Sequence, residues 1–167
     1  MEERDAEELT RILTVVGKEG GYMPTQESFL AMHTVIPWPA VEALLVDPDD
    51  PKKFFLTWRE DEYWHGWHIP GSYIRVTHAS LEDACRAVAE KELGNTFTIT
   101  SVKLIDAYLW PDHPYGHPIS LVYACRIDSR PPLNERARFF SEIPSPIVPH
   151  HADFVKAYLR SLSGNHP

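Results

Sequence analysis

The stretch from Gly66 to Gly94 constrains the fold more than any other part of the chain. It passes through Ile69-Pro70-Gly71-Ser72, where a proline followed by two small residues calls for a tight backbone turn, and continues into a segment at 80–93 with helical spacing. Ser80, with Asp83 three residues on, makes a start resembling a capping box, in which side chains satisfy free amides of the first turn, and Gly94 marks the stop. On a wheel of about 100° per residue, Leu81, Ala84, Cys85 and Val88 share one sector of roughly 100°, and Glu92 falls inside it. A carboxylate seldom sits on a core face without a partner, because desolvating it costs several kcal/mol unless a cation or donors compensate. Glu92 therefore either reaches water or an arginine from the last turn, or it binds a metal, to which the Gly71 turn adds a carbonyl oxygen of the kind hard divalent ions prefer.

The surroundings of this segment alternate between strand and helix. Leu9, Ile12, Leu13 and Val16 stand at i, i+3, i+4, i+7 before Gly20 and Gly21, which predicts an amphipathic helix and its stop. A short helix follows at 26–34, and then an apolar strand at 40–46, a turn through Pro48-Asp49-Asp50-Pro51 and a partner strand at 54–58. Beyond Gly94, residues 96–109 and 119–127 read as strands joined by a stretch of Pro and His, and Phe154, Val155, Tyr158, Leu159 and Leu162 mark a closing helix. Strands flanking a central helix predict an α/β fold whose mixed sheet is covered on both faces. The 167 residues suffice for one domain. Residues 37–163 form that domain, and residues 1–36 are a helical segment belonging to it or serving as a dimer arm.

Composition excludes several classes of function. With 43% hydrophobic and 24% charged residues the chain is globular, and its charge of −8 argues against a nucleic acid polymer as partner, since backbone binding needs clustered Lys and Arg. No apolar run has the roughly 18 residues of a membrane span, and the acidic start is unlike a secretory signal, so a soluble cytoplasmic protein is expected. Cys85 and Cys125 read as reduced, packed thiols. The paired histidines do not suit structural zinc: His65 and His68 would point to opposite faces of an extended segment, and Pro114 and Gly116 separate His113 from His117. His113 and His117 are instead loop residues able to reach a substrate or act as base.

The residues from Gly66 to Ser72, Ser80 to Ala84 and Glu90 to Gly94 together resemble the Nudix box. Within that superfamily they are most similar to GDP-mannose mannosyl hydrolases, which keep fewer acidic positions and use one metal. The sequence departs from the general box at Ser72 in place of the second Gly, at His78 or Ala79 in place of the first Glu, at Ala87 and Val88 in place of Arg-Glu, and at Lys91. The resemblance implies a Nudix-type α/β/α sandwich and a Mg²⁺-dependent hydrolase of a nucleoside diphosphate linked to another moiety, such as a nucleotide sugar. It also implies that Gly71, Glu92 and Asn134 hold the metal and that Glu135 takes the place of the base, with His117 as the loop alternative. Arg59 matches an arginine that meets the diphosphate, and Tyr73 and Arg75 join it as substrate-binding residues. The replacements at Ala87, Val88 and Lys91 keep a second reading open, a Nudix-fold nucleotide-binding or protein-interaction module without catalysis.

Overall fold

The computed structural model describes residues 2–114 and 116–163. Two helices lead, α1 (Glu3–Lys18) and α2 (Gln26–His33), the second capped by Thr25, whose hydroxyl accepts the Ser28 N–H at 3.2 Å. Then come β1 (Pro39–Val46), β2 (Phe54–Glu60), β3 (His65–His68), β4 (Gly71–Tyr73), α3 (Leu81–Leu93), β5 (Ile99–Leu109), β6 (Ile119–Ile127), β7 (Ala137–Phe140) and α4 (Pro149–Leu162).

The strands form one mixed seven-stranded sheet in the order β3-β2-β1-β6-β5, with β4 on β1 and β7 on β2. Among the described strand pairs, β1 and β6 are the parallel one, from Pro39 opposite Ile119 to Val46 opposite Arg126. A central strand covered on both faces needs apolar residues at successive positions, and β1 has them. Its Val41, Ala43 and Leu45 pack with Ala84, Cys85, Val88 and Ala89 of α3, while Leu44 and Val46 pack with Phe154, Val155 and Tyr158 of α4. Helices on opposite faces of a mixed sheet make the expected α/β/α sandwich. By the two-residue period of a strand, Glu42 lies on the α4 face with Leu44 and Val46.

The hairpin of β1 and β2 closes at Val46 opposite Phe54, and each strand then takes another neighbour. Residues 40–42 of β1 pair with β4, and Phe54 to Thr57 of β2 pair with β7. The tight turn at Gly71 and Ser72 is thus also the start of a short strand, and the late stretch at 132–140 ends in one. Neither strand is among those the sequence predicts, because strands of three and four residues carry too little periodicity to read.

The α3 helix begins as expected, with Ser80 Oγ accepting the Asp83 N–H at 3.0 Å, and ends at Gly94, whose φ of 78° favours glycine. Its apolar face differs from the wheel. Ala84, Cys85, Val88 and Ala89 are buried, whereas Leu81 is 42% exposed and Glu92 is also exposed as a residue. The middle turns pack most fully on the sheet, and in the last turn Leu93 packs against the same core while Glu92 turns outward.

Cys85 and Cys125 are buried free thiols. On α1 only Val16 is buried, while Leu9, Ile12 and Leu13 are exposed. No helix among the described residues is long and apolar enough to cross a membrane.

Candidate active site

The site is organised around Gly71. Pro70 offers its carbonyl to the Ala43 N–H at 2.8 Å, which registers β4 on β1 and sets Gly71 directly opposite Glu42. Residues directly opposite in an antiparallel pair present their side chains to the same face, so the Glu42 side chain lies across the glycine. A Cβ at position 71 would fall 2.1 Å from Glu42 Oε2. Glycine is needed here to make room for a neighbouring carboxylate, whatever its own backbone angles.

Glu42 is 8% exposed, and a buried hydrogen-bond chain aims it. Trp110 Nε1–H donates to Ser120 Oγ at 2.8 Å, and the Ser120 hydroxyl donates to Glu42 Oε1 at 3.0 Å. Burial pushes the Glu42 carboxyl up to about 8; the Ser120 bond and Arg59 pull it down, and Glu92 adds to the rise.

Two concavities meet at this point. On the α4 face a cavity of about 300 Å³ is lined by Glu42, Tyr73, Arg75, His113 and His151, with Trp64 and Trp110 among its walls. Its histidines are held neutral. His151 accepts the Ile69 N–H at Nδ1, 2.7 Å away, so Nε2 carries its proton, and burial holds its pKa well below the ordinary value. His68 Nδ1 lies 2.8 Å from the Ile69 carbonyl, which can only accept; the ring proton is therefore on Nδ1, and Nε2 accepts from Thr57 Oγ1 at 3.0 Å. Burial brings both His68 and His113 down to about 4.

The second concavity is a more open cleft of about 650 Å³ that includes Glu92, Asn134, Arg136 and Glu60. Arg59, His68 and Gly71 border both spaces. Crowding by protein atoms pushes the Glu92 carboxyl up to about 7, against the pull of Lys91, the Gly71 amide and Arg59. The Arg59 guanidinium is held by Asp61, whose other oxygen accepts the Tyr63 and Trp64 amides at 2.9 Å each, so the β2–β3 turn itself positions the arginine. Arg59 is the cation whose field reaches Glu42, Glu92, His68, His113 and His151.

Of the residues expected from sequence, Gly71, Glu92, Asn134 and Arg59 line the open cleft together, and Tyr73 and Arg75 line the cavity beside Gly71 and Arg59. The Asn134 amide oxygen accepts the Arg136 N–H at 2.8 Å, within a tight turn before β7. Arg75 lies over the Tyr22 ring, 4.3 Å from its centroid. Glu135 and His117 are exposed and border neither space, whereas His113 borders the cavity. The residue that sequence reasoning missed is Glu42. It is the one charge in the apolar run at 40–46, the same kind of anomaly that singled out Glu92, and it was passed over as part of a mostly apolar strand.

No protein-family model matches this sequence, and no curated protein is similar to it. Solved structures are similar in fold. A MutT NUDIX hydrolase from Burkholderia pseudomallei has a TM-score of 0.61 at 19% identity over 73% of this chain and 98% of its own. The NUDIX domain of Shewanella oneidensis NrtR, solved with ADP ribose, has a TM-score of 0.60 at 15% identity over 83% of this chain and 99% of its own. A bifunctional NMN adenylyltransferase/ADP ribose pyrophosphatase from Francisella tularensis, solved with AMP and a Mn ion, has a TM-score of 0.59 at 14% identity, covering 81% of this chain and 47% of its own. The fold of this protein is that of the Nudix hydrolases.

Proposed function

We propose that this protein is a divalent-cation-dependent hydrolase of the Nudix type, acting on a nucleoside diphosphate linked to another moiety, and that its substrate resembles a nucleotide sugar such as GDP-mannose. The observation that carries this reading is the convergence of Gly71, Glu92, Asn134 and the held Arg59 on one cleft. The ADP ribose and AMP bound by two of the structural neighbours support a nucleoside phosphate compound as ligand class, and the Mn ion in one of them supports a divalent cation.

The donors suit such a cation. Carboxylate and carbonyl oxygens are the ligands that Mg²⁺ takes, and two carboxyls crowded around Gly71, with no Lys or Arg in salt-bridge contact with either among the described residues, resist ionising by themselves and would be held ionised by a divalent cation. Glu92, the Gly71 carbonyl and Asn134 would hold Mg²⁺, with Asn134 giving up the turn bond from Arg136. When bound, the ion would supply charge neutralisation at the diphosphate and at the leaving group. Arg59 adds fixed positive charge between the two spaces, and Tyr73 and Arg75 contact the part of the ligand that enters the cavity. Glu135, beside Asn134, and His117, in the β5–β6 loop, are assigned as proton acceptors; both are exposed, so the loops must carry them to the substrate.

A second reading, binding without hydrolysis, is favoured by the turn bond that engages the Asn134 oxygen. One assay separates the two: a panel of nucleoside diphosphate sugars and other capped diphosphates, with and without Mg²⁺, beside Glu92→Gln. Metal-dependent product release that falls by about 10²-fold or more in the variant is expected. Tight binding of a panel member with no turnover in either protein would replace hydrolysis with recognition. We place the protein in the cytoplasm, and we place a homodimer contact on the exposed Leu9, Ile12 and Leu13 stripe of α1, which light scattering of Ile12→Asp checks.

A further inference from the structure

Glu42 is a carboxylate that the core has been built to hold. It sits on the central strand, more than nine-tenths buried, and among the described residues its one hydrogen bond comes from Ser120. That bond fixes Oε1, and Ser120 is itself fixed by the Trp110 indole. The other oxygen is the nearer to Gly71: a Cβ there would meet Oε2 at 2.1 Å and Oε1 only at 3.1 Å. Two buried donors are thus used to turn one oxygen of an ionisable group toward the missing side chain of a glycine. An arrangement made only for packing would put an apolar residue there, because a buried carboxylate with one neutral donor is costly.

The direction of Oε2 supplies the reason. Gly71 borders both the cavity that holds Glu42 and the cleft that holds Glu92, and the two carboxyls act on each other electrostatically. Glu42 reaches Gly71 from the α4 face and Glu92 from the end of α3. Hard divalent cations are commonly held by one or two carboxylates with water completing the shell.

We infer that Glu42 is a second carboxylate ligand of the divalent cation, supplied by strand β1 and aimed by Ser120 and Trp110, so that the ion is held between Glu42 and Glu92 around Gly71. This rests on the metal-dependent reading of the site. It makes Ser120 a positioning residue whose effect passes through Glu42.

The test is Mn²⁺ binding to the intact protein without substrate, read from the fraction of free ion by electron paramagnetic resonance, with thermal melting to show that each variant is folded. Glu42→Gln keeps the shape and the Ser120 contact, and it is expected to weaken Mn²⁺ binding by about tenfold or more. Ser120→Ala, which leaves the carboxylate but frees it, is expected to lose about three- to tenfold, and Glu42→Asp to fall between the two. Wild-type affinity in folded Glu42→Gln, together with loss in Glu92→Gln, would overturn the role of Glu42 and leave the helix site standing. If Glu42→Gln does not fold, wild-type affinity in both Glu42→Asp and Ser120→Ala overturns it equally. Absence of Mn²⁺ binding by the wild-type protein would sink the metal-dependent reading itself.

Discussion

The two spaces on either side of Gly71 are built by opposite means. In the cavity on the α4 face the innermost polar groups are placed by other buried groups: Trp110 holds Ser120, Ser120 holds Glu42, and the Ile69 main chain sets the tautomers of His68 and His151. In the open cleft the polar groups stand on ends and turns. Glu92 is in the last turn of α3, Asn134 is in the turn before β7, and Arg136 meets Glu60 at 3.4 Å with both side chains largely exposed. A dry, hydrogen-bonded wall fixes geometry at the expense of stability, whereas a wet rim adapts and adds little to either. On the proposed function the cavity is therefore the part suited to select a ligand by shape, and the cleft the part suited to close on charge.

The largest consequence of that contrast is acid sensitivity. His68 and His113 are depressed to about 4 and His151 is also depressed, all by burial, so between about pH 6.5 and 4 the unfolded chain binds protons that the folded chain refuses. The histidine contribution to stability is present above pH 6.5 and is lost as pH falls through that window, while Glu42 and Glu92, raised to about 8 and about 7, contribute in the opposite sense. Each histidine contributes on the order of 1–2 kcal/mol by pH 5, and the three together roughly 3–5 kcal/mol. Urea unfolding of the wild type and of a folded triple His→Gln variant, each at pH 7.0 and 5.0, isolates the histidine term from that of the carboxyls. The wild type should lose about 3–5 kcal/mol more than the variant on going to pH 5.0, and no difference between the two would mean that the cavity is wetter than its hydrogen bonds imply.

Gly71→Ala acts where the two spaces meet. The new methyl group must displace Glu42 Oε2 or push β4 from β1, and Glu42 has no slack because Ser120 holds its other oxygen. Overpacking of this kind costs about 2–3 kcal/mol, measured as a shift in the urea midpoint with an unchanged slope. Combining it with Glu42→Ala, which opens the space, should recover at least about 1 kcal/mol of the expected sum. Strict additivity would show that the glycine is needed for some other reason.

How much of this the sequence disclosed follows the same division. The β1 strand, the capped α3 helix and its Gly94 stop could be read because each is long enough to display a period or a cap. Strands β4 and β7 could not, since three or four residues become strands only through the edges that β1 and β2 present to them. A helical wheel singles out Glu92 with a sector that is too wide, for in the last turn Leu93 takes the core contact and Glu92 is exposed; its carboxyl reaches the site because the turn at Gly71 lies beside that end. Arg59 could be placed at a strand end, but the Asp61 turn that holds it is a three-dimensional fact. The chain from Trp110 through Ser120 to Glu42 joins residues 78 positions apart and has no linear signature beyond one acidic residue in an apolar strand.

Glu92→Gln should separate function from stability more cleanly than any change in the cavity. The residue makes no ion pair among the described residues and its carboxyl is pushed up to about 7, so neutralising it should leave the unfolding free energy unchanged or raise it while metal binding falls. A loss of more than about 1 kcal/mol would place Glu92 in the structural framework together with Glu42, and the distinction between a built cavity and an adaptable rim would fail on the rim side.

The smallest effect is expected from Arg136→Ala, and its smallness is what gives it value. Arg136 reaches Glu60 at 3.4 Å with side chains 62% and 55% exposed, an ion pair that water and salt screen almost completely. The bond that shapes the turn runs from the Arg136 main-chain N–H to Asn134 Oδ1, and it survives truncation of the side chain. Stability should therefore change by less than about 0.5 kcal/mol, with no dependence on salt between low and moderate ionic strength. The arginine does line the cleft, so affinity for an anionic ligand should drop by about two- to fivefold, and that drop should shrink as salt is added. A loss in affinity that salt leaves untouched would mean that the ligand desolvates Arg136 on binding, and the open cleft would then close into a second dry wall around the phosphates.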